Sequence, residues 1–223
     1  DVVHAGAGDD FVKAGNGDDT VFGEDGDDVI FGDNGDDFLS GGNGDDALFG
    51  GNGDDALFGG DGDDFLSGGR GDDVLQGGEG NDILLGADGD DILRGGAGDD
   101  VLLGGKGDDV LQGGDGNDLL QGGSGDDILQ GGAGDDVLFG GAGDDILHGG
   151  AGDDVFVFNG GGGNDVVLDF EAGQDLLQIS SGINGTEPYT LEKGQIIFHH
   201  PNVFHNFRTD GAPDAEDGAD CDI

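Results

Sequence analysis

The stretch Gly95-Gly96-Ala97-Gly98-Asp99-Asp100-Val101-Leu102-Leu103 is one copy of a nine-residue unit that repeats without interruption from residue 5 to residue 157. The unit has the pattern G-G-x-G-x-D-x-U-x, where U is an aliphatic or aromatic residue, and it occurs 17 times in register. Its fourth position is glycine and its sixth position is aspartate in every copy. Such a fixed period predicts a solenoid, in which each repeat packs only against its neighbours.

The oxygen atoms of each repeat indicate a bound metal ion. Adjacent acidic residues such as Asp99 and Asp100, flanked by glycines, offer carboxylates together with carbonyls of a backbone that can bend towards an ion. Calcium fits best, because it accepts about six to eight oxygens in irregular geometry whereas magnesium requires a tight octahedron. The alternative is a flexible low-complexity tract. Disorder would not place an apolar residue at the eighth position of every repeat, from Val12 to Phe156.

These nonapeptides resemble the calcium-binding repeats of RTX proteins, and the resemblance covers about two thirds of the chain. It implies an all-β fold: a parallel β-roll, that is, a right-handed β-solenoid with two nonapeptides per coil. The first six residues of a repeat would form a calcium-binding turn and the last three a short strand. Repeat n would therefore lie beside repeat n+2.

The resemblance also implies which residues bind calcium. At a typical internal site, one turn would supply the carbonyls of Gly96 and Gly98 and the carboxylate of Asp100. The next coil would complete that site with the carbonyls of Gly113, Asp115 and Asn117 and with the carboxylate of Asp118. About 15 complete calcium sites are expected in all. The metal-binding carboxylates would be those of the sixth position: Asp10, Asp19, Asp28, Asp37, Asp46, Asp55, Asp64, Asp73, Asp82, Asp91, Asp100, Asp109, Asp118, Asp127, Asp136, Asp145 and Asp154.

A few repeats depart from the pattern. Ala5 and Ala14 replace the first glycine, and Glu24, Asp33 and Ala87 replace the second. A left-handed backbone is expected at the second position, where any side chain is costly.

The charge of the chain favours a fold that depends on its ions. The formal net charge is −46, with only six basic residues, so the compact state would repel itself strongly without counterions. Nucleic acids and anionic membrane surfaces are poor partners for such a chain. Each repeat also buries only one main apolar side chain, which does not balance the entropy of ordering nine residues. The chain is therefore expected to be unfolded without calcium and a rigid rod with it.

Calcium dependence predicts a secreted, extracellular protein, because extracellular calcium-binding modules work far above the free calcium concentration of the cytosol. Cys221 is the only cysteine, so no intrachain disulfide forms. The chain shows no N-terminal signal peptide and no apolar run long enough to span a membrane. The resemblance implies one-step (type I) secretion through a C-terminal signal. Residues 1–4 read as the end of an earlier repeat, which predicts a larger protein with an upstream domain.

Three regions are predicted. Residues 1–157 form the calcium-binding β-roll, residues 158–208 form capping strands, and residues 209–223 form an acidic tail that is either disordered or the end of a secretion signal. Residues 164–179 alternate apolar and polar residues as strands do, and residues 189–200 are typical of a strand or hairpin with its turn at residues 192–195. His199, His200 and His205 lie close together, and a surface or capping role is favoured over a transition-metal site.

No catalytic signature is present, so this chain is interpreted as a binding module and not as an enzyme. The favoured function is a calcium-binding β-roll that supports folding, secretion or stability of a larger protein. The alternatives are an accessory polysaccharide-binding array and an adhesin or ice-binding solenoid, although a regular rank of threonines is missing. The outer face of the odd-numbered repeats is expected to be the more apolar one and to contact an upstream domain, residues 180–208 folded back, or a second copy of the chain. Its main residues are Phe49, Leu85, Leu103 and Phe139.

Overall fold

A computed structural model describes residues 1–158, 162–179, 189–192 and 195–198 of the chain, and these residues contain strands and no helix. The strands of the repeat array are β1 Val2–Ala7, β2 Phe11–Asn16, β3 Thr20–Asp25, β4 Val29–Asn34, β5 Phe38–Asn43, β6 Ala47–Asn52, β7 Ala56–Asp61, β8 Phe65–Arg70, β9 Val74–Glu79, β10 Ile83–Asp88, β11 Ile92–Ala97, β12 Val101–Lys106, β13 Val110–Asp115, β14 Leu119–Ser124, β15 Ile128–Ala133, β16 Val137–Ala142, β17 Ile146–Ala151 and β18 Val155–Phe158. The strands that follow are β19 Val166–Val167, β20 Leu176–Ile179, β21 Tyr189–Glu192 and β22 Gln195–Phe198.

Consecutive strands belong alternately to two parallel sheets. One sheet has 12 strands, from β1 through the odd-numbered strands to β19, β22 and β21, and the other has ten, from β2 through the even-numbered strands to β20. Each array residue pairs with the residue 18 positions later, as Leu102 pairs with Leu120. The fold is therefore a parallel β-solenoid of about ten coils with two repeats per coil, as the period predicted.

The core is a single stack of the eighth-position side chains. Because side chains alternate along a strand, only the middle one of positions seven, eight and nine points between the sheets. From Val21 through the leucines to Phe156, each of these side chains is fully buried. Val3 and Val12 in the first coil are partly buried against the same stack. The array thus holds one apolar layer per repeat.

The strands are longer than the three residues expected. Each of the strands β1 to β17 extends through positions one to three of the following repeat, so that β12 continues to Lys106. The reason is that the glycine-rich backbone keeps pairing with the next coil, as Gly105 does with Gly123. Only positions four to six remain as the turn proper.

The second position has the left-handed backbone that the pattern predicted. Glycines at this position have a positive φ, for example 130° at Gly96. The three residues that replace glycine there also have a positive φ, of 87° at Glu24, 77° at Asp33 and 91° at Ala87. The Glu24 carboxylate accepts a hydrogen bond of 3.0 Å from His4 Nδ1, and Asp33 forms an ion pair with Lys13 at 2.7 Å. Two of the three strained positions are therefore tied to the preceding coil by side-chain pairs.

The cap continues both sheets beyond the last repeat. β19 pairs in parallel with β17, β20 pairs in parallel with β18, and the antiparallel hairpin of β21 and β22 joins the first sheet through β19. Val167 is fully buried on the end of the apolar stack, and the Phe170 ring lies 6.3 Å from that of Phe156. The predicted hairpin is confirmed at the level of its two strands. The histidine cluster at residues 199–205 and the acidic tail lie outside the described residues.

Apolar side chains line the outer faces of both sheets, and the odd-numbered repeats form the ten-stranded sheet. Stacked or tilted aromatic rings run along the ten-stranded sheet, but a similar row runs along the 12-stranded sheet. The 12-stranded sheet also carries much of the exposed apolar surface, at Val2, Phe38, Val110, Ile128 and Ile146. Seventh-position side chains are apolar on both sheets, whereas ninth-position side chains are apolar mainly on the ten-stranded sheet, at Phe31, Phe49, Leu85, Leu103 and Phe139. A contact between that face and another domain or a second copy stays a prediction.

Candidate metal-binding turns

The sixth-position aspartate lies inside the turn, with its carboxylate turned into the solenoid. Asp100 is 1% exposed, whereas the preceding Asp99 is exposed. One oxygen of Asp100, Oδ1, accepts a hydrogen bond of 2.8 Å from the backbone N–H of Asp82, one coil earlier. The backbone N–H of Asp100 donates in turn to Asp118 Oδ1, one coil later. The sixth-position carboxylates therefore form two continuous rows, one along each edge of the solenoid.

In 15 of these 17 carboxylates the second oxygen is buried and has no hydrogen-bond donor. This holds for Oδ2 of Asp19, Asp28, Asp37, Asp46, Asp55, Asp64, Asp73, Asp82, Asp91, Asp100, Asp109, Asp118, Asp127, Asp136 and Asp145. A buried carboxylate oxygen without a partner is costly, and a whole row of them requires either protons or cations. The rows are thus suited to bind positively charged ions.

Burial shifts the titration of these groups. It raises the pKa of Asp100 to about 7, while the hydrogen bond from the N–H of Asp82 lowers this pKa and the charges of Asp82, Asp118 and Asp99 raise it. The pKa of Asp109 is raised to about 6 and that of Asp127 to about 7, again mainly by burial. Near neutral pH the metal-free turns therefore hold their protons far more tightly than ordinary carboxyl groups do.

Glycines allow the oxygens of adjacent turns to approach. A Cβ on Gly95 would clash with Asp100 Oδ2, and one on Gly114 would clash with the carbonyl oxygen of Gly96. The carbonyl oxygen of Gly98 likewise faces Gly116 at a distance that excludes a side chain. Carbonyls from positions two and four therefore face the next coil, beside the inward-turned carboxylate.

The next coil supplies the opposite wall of the turn. The carbonyl of Asp115 accepts a hydrogen bond of 2.8 Å from the N–H of Gly98, and Asp118 Oδ1 accepts one from the N–H of Asp100. At the following coil, the carbonyl oxygen of Gly131 lies 2.7 Å from the point where a Cβ of Gly113 would be. The structure thus brings the predicted residues of the two turns, including Gly113, into successive coils. Their roles as calcium ligands remain predictions.

The fifth-position side chains form a separate, exposed ladder. Asp99 Oδ1 accepts a hydrogen bond of 2.8 Å from the N–H of Asn117, and Asn117 Oδ1 accepts one of 2.8 Å from the N–H of Asp135. This ladder runs in the opposite direction to that of the sixth position, because each side chain here accepts from the later coil. Asparagine serves as well as aspartate in this place, since only an acceptor is needed.

Among the described residues, no three side chains of His, Cys, Asp or Glu form a cluster that could hold a metal ion. An ion at a turn would therefore be held by one or two carboxylates together with backbone carbonyls. That donor set is all oxygen and partly neutral, which suits calcium better than zinc or another transition metal. The partnerless Oδ2 atoms and the glycine-lined carbonyls fit calcium.

Comparison with known proteins agrees with this chemistry. A family model described as "RTX calcium-binding nonapeptide repeat (4 copies)" matches residues 1–30, 22–57, 31–66, 58–93, 85–120, 94–129, 121–156 and 157–177. The chain belongs to this family of RTX calcium-binding repeats. Calcium binding by the β-roll is thereby supported, whereas the number of ions is not fixed by the match.

No curated protein matches the chain. One similar solved structure is that of a hyperactive, Ca²⁺-dependent, β-helical antifreeze protein from an Antarctic bacterium. It is 22% identical over 82% of this chain and 83% of that chain, with a TM-score of 0.33. A likeness at this TM-score carries no argument about fold or function.

The repeat pattern missed three aspartates of the cap that continue the hydrogen-bond rows. Asp165 Oδ1 accepts the N–H of Asp145 at 3.1 Å, and Asp175 Oδ1 accepts the N–H of Asp154 at 3.2 Å. Asp169 accepts the N–H groups of Gly149 and Gly150 at 3.0 and 2.8 Å. A signal was present at residues 164–168, which repeat positions five to nine after a two-residue insertion.

Proposed function

We propose that this chain is a calcium-dependent folding module of a larger extracellular protein, whose folding, secretion or stability it supports. The observation that carries the proposal is the pair of rows of buried carboxylate oxygens without hydrogen-bond donors. Ionised carboxylates are costly to bury without cations, so the folded state is favoured by ions that bind only to it.

The charge and the core support the same function. A net charge of −46 opposes compaction, and the array buries only one fully enclosed apolar side chain per repeat. Calcium ions would neutralise the sixth-position carboxylates and link each repeat to the next but one, which belongs to the next coil. The module would then fold where calcium is abundant and stay unfolded where it is scarce.

Export is the setting that this dependence suits. We propose an extracellular location and type I secretion, because an unfolded chain can be exported and can then fold in millimolar calcium. No helix in the described part of the chain is long and apolar enough to cross a membrane. The proposed partners are calcium ions, a further domain of the same protein, and a second copy of the chain at the exposed apolar side chains.

A binding and folding role is favoured over an enzymatic one and over carbohydrate binding. The Phe31 and Phe49 rings stack on each other at 4.7 Å with an interplanar angle of 7°, so one face of each ring is already occupied. A sugar could not stack on those two faces. No observation on the described surface favours the adhesin or ice-binding alternative.

Circular dichroism during a calcium titration of the chelator-treated full chain tests the proposal. We expect a cooperative gain of β signal at high micromolar to millimolar calcium, with magnesium at equal concentration as the control that fails to produce it. A β-rich spectrum that persists in excess chelator would refute the proposal.

A further inference from the structure

The outer face of the ten-stranded sheet carries a straight strip of uncharged side chains. The strip consists of the seventh and ninth positions of the odd-numbered repeats, which pair in register from coil to coil, as Leu85 does with Leu103. From residue 29 to residue 157, no side chain at these positions is charged. Lys13, in the first coil, is charged and pairs with Asp33 at 2.7 Å. The strip therefore offers a chain of net charge −46 a surface on which two molecules could meet without bringing like charges together.

The 12-stranded sheet shares the apolar seventh positions but not the ninth. Its exposed ninth-position side chains in the central coils are Gln76, Arg94, Gln112 and Gln130. Burial of these long polar groups would remove water from donors and acceptors, which costs free energy unless each group finds a new partner. The strands β21 and β22 also belong to the 12-stranded sheet, so these two strands leave the ten-stranded face open. The ten-stranded face is therefore the better surface for an apolar contact.

The size of the strip suits a homodimer. Ten strands spaced about 4.8 Å apart extend over roughly 45 Å, and side chains two residues apart along a strand are separated by about 6.6 Å. With the width of the side chains included, contact along the strip would bury about 500 Å² of each molecule, or about 1,000 Å² in total. This total lies at the lower limit for a specific protein interface, which indicates a weak dimer with a dissociation constant in the micromolar range.

The two borders of the strip carry complementary charges. One border is formed by exposed third-position side chains, which in three successive coils are Arg70, Asp88 and Lys106. The other border is formed by exposed fifth-position side chains, which in the same three coils are Asp63, Asn81 and Asp99. Each basic residue on one border thus has an aspartate in its own coil on the other border. The acidic residue of the first border has a neutral asparagine there.

A two-fold axis parallel to the solenoid would bring these borders together. Rotation about such an axis reverses the strand direction of the second copy, so the third-position border of each copy faces the fifth-position border of the other at the same coil. The facing residues would be Arg70 and Asp63, Asp88 and Asn81, and Lys106 and Asp99. A two-fold axis along the strands would instead place the two rows of fifth-position aspartates against each other, where like charges repel.

We propose that two calcium-loaded copies of this chain associate through the ten-stranded face, about a two-fold axis parallel to the solenoid. The inference rests on the proposed calcium-dependent folding, because the strip and its borders exist only when the coils are stacked. The seventh-position row of one copy would pack against the ninth-position row of the other, as in two sheets stacked about 10 Å apart. Such a self-complementary contact is the commonest form of homodimer.

Sedimentation equilibrium of the calcium-saturated full chain tests the inference. We expect a monomer–dimer equilibrium with a dissociation constant of about 1–100 µM. Leu85→Gln combined with Leu103→Gln should raise this constant at least about tenfold, because it places polar groups in the centre of the contact. Val110→Gln combined with Ile128→Gln, on adjacent strands of the 12-stranded sheet, is the matched control and should leave it unchanged. Equal effects of the two double variants would overturn the inference.

Charge reversal at the border keeps the inference testable if the first double variant fails to fold. Arg70→Glu combined with Lys106→Glu should raise the dissociation constant several-fold, because like charges would then face each other. Arg94→Glu, on the 12-stranded face, is the control and should not change it. A dimer unaffected by the border reversal would overturn the inference.

The wild-type chain separates failure of this inference from failure of the proposed function. Circular dichroism on the same samples reports whether the chain is folded. A chain that folds with calcium but stays monomeric up to about 200 µM would overturn the dimer and leave the proposed function intact. A chain that does not fold with calcium would overturn both proposals.

Discussion

Each repeat carries two neighbouring acidic positions whose side chains lie in different surroundings. Asp99 is exposed and its Oδ1 accepts a backbone N–H, whereas Asp100 is buried and its Oδ2 has no donor. The sequence hints at this division, because asparagine replaces aspartate at Asn81 and Asn117 but never at the sixth position. It does not show which carboxylate turns inward, since that depends on the backbone of the turn.

Charge removal at these two positions should therefore have unequal effects. Asp100→Asn should raise the calcium concentration needed for folding several-fold, because it removes a charged ligand from a buried site. It should lower the free energy of unfolding of the calcium-bound chain by about 1.5–3 kcal/mol. Asp99→Asn is the matched control and should cost less than about 0.5 kcal/mol, because asparagine keeps the acceptor of the exposed ladder. Calcium titrations followed by circular dichroism measure both. Equal shifts in the two variants would contradict the division of roles.

A backbone effect should be visible at the second position. Ala87 has a φ of 91°, where a Cβ is strained, and no side-chain pair compensates for it as Lys13 does at Asp33. Ala87→Gly should stabilise the calcium-bound chain by about 0.5–1 kcal/mol, since the relief of strain exceeds the added entropy of the unfolded chain. Ala97→Gly, at the third position of its repeat, should destabilise it by about 0.5–1 kcal/mol. Thermal unfolding measures both, and the same sign in the two variants would argue against strain at Ala87.

At the level of elements, the period predicts the array well and the cap poorly. The spacing of nine, with an apolar residue at the eighth position, determines the pairing of each repeat with the next but one and the single apolar stack. Strand length was underestimated, because glycine propensity argues against strand while the ladder across coils overrides it. The cap aspartates Asp165 and Asp175 were missed because short insertions place them 20 and 21 residues after their hydrogen-bond partners, whereas the spacing in the array is 18.

The cap should be needed for folding of the whole array. Val167 covers the end of the apolar stack, and β19 and β20 cover the strand edges of β17 and β18. A fragment of residues 1–157 exposes these edges and should need several-fold more calcium to fold than a fragment of residues 1–198, which keeps strands β19 to β22. Calcium titration of both fragments by circular dichroism tests this. Identical midpoints would show that the cap is dispensable.

At the scale of the whole molecule, the net charge makes folding depend on the cations and the pH of the solvent. The net charge and the even spacing of carboxylates predict that the fold needs cations. What the sequence could not give is the degree of burial, on which the pKa of each carboxyl group depends. The structure shows that the sixth-position aspartates form two buried inner rows, whereas the fifth-position aspartates are exposed. Burial in the inner rows raises the pKa of Asp64, Asp73 and Asp136 to about 7.

These shifts predict how the calcium-free chain responds to pH. A carboxyl group whose pKa is higher in the folded than in the unfolded state stabilises the fold below the unfolded value of about 4, and that contribution is lost as pH rises through the folded value. For the inner rows the folded values are about 6 for Asp55 and about 7 for Asp145. The calcium-free chain should therefore be least stable at pH 8 and should gain β structure as the pH falls through about 7 to 6.

Circular dichroism of the full chain, dialysed free of calcium and transferred to buffers from about pH 8 to pH 5, measures this gain. An ordinary carboxyl group titrates near about pH 4, so a simple loss of net charge would act only there, which provides the internal control. Addition of calcium at about pH 5.5 should release protons from the folded chain, since both compete for the same buried oxygens. A spectrum that stays unfolded down to about pH 4.5, without proton release on calcium binding, would show that the inner carboxylates are not buried in the calcium-free chain.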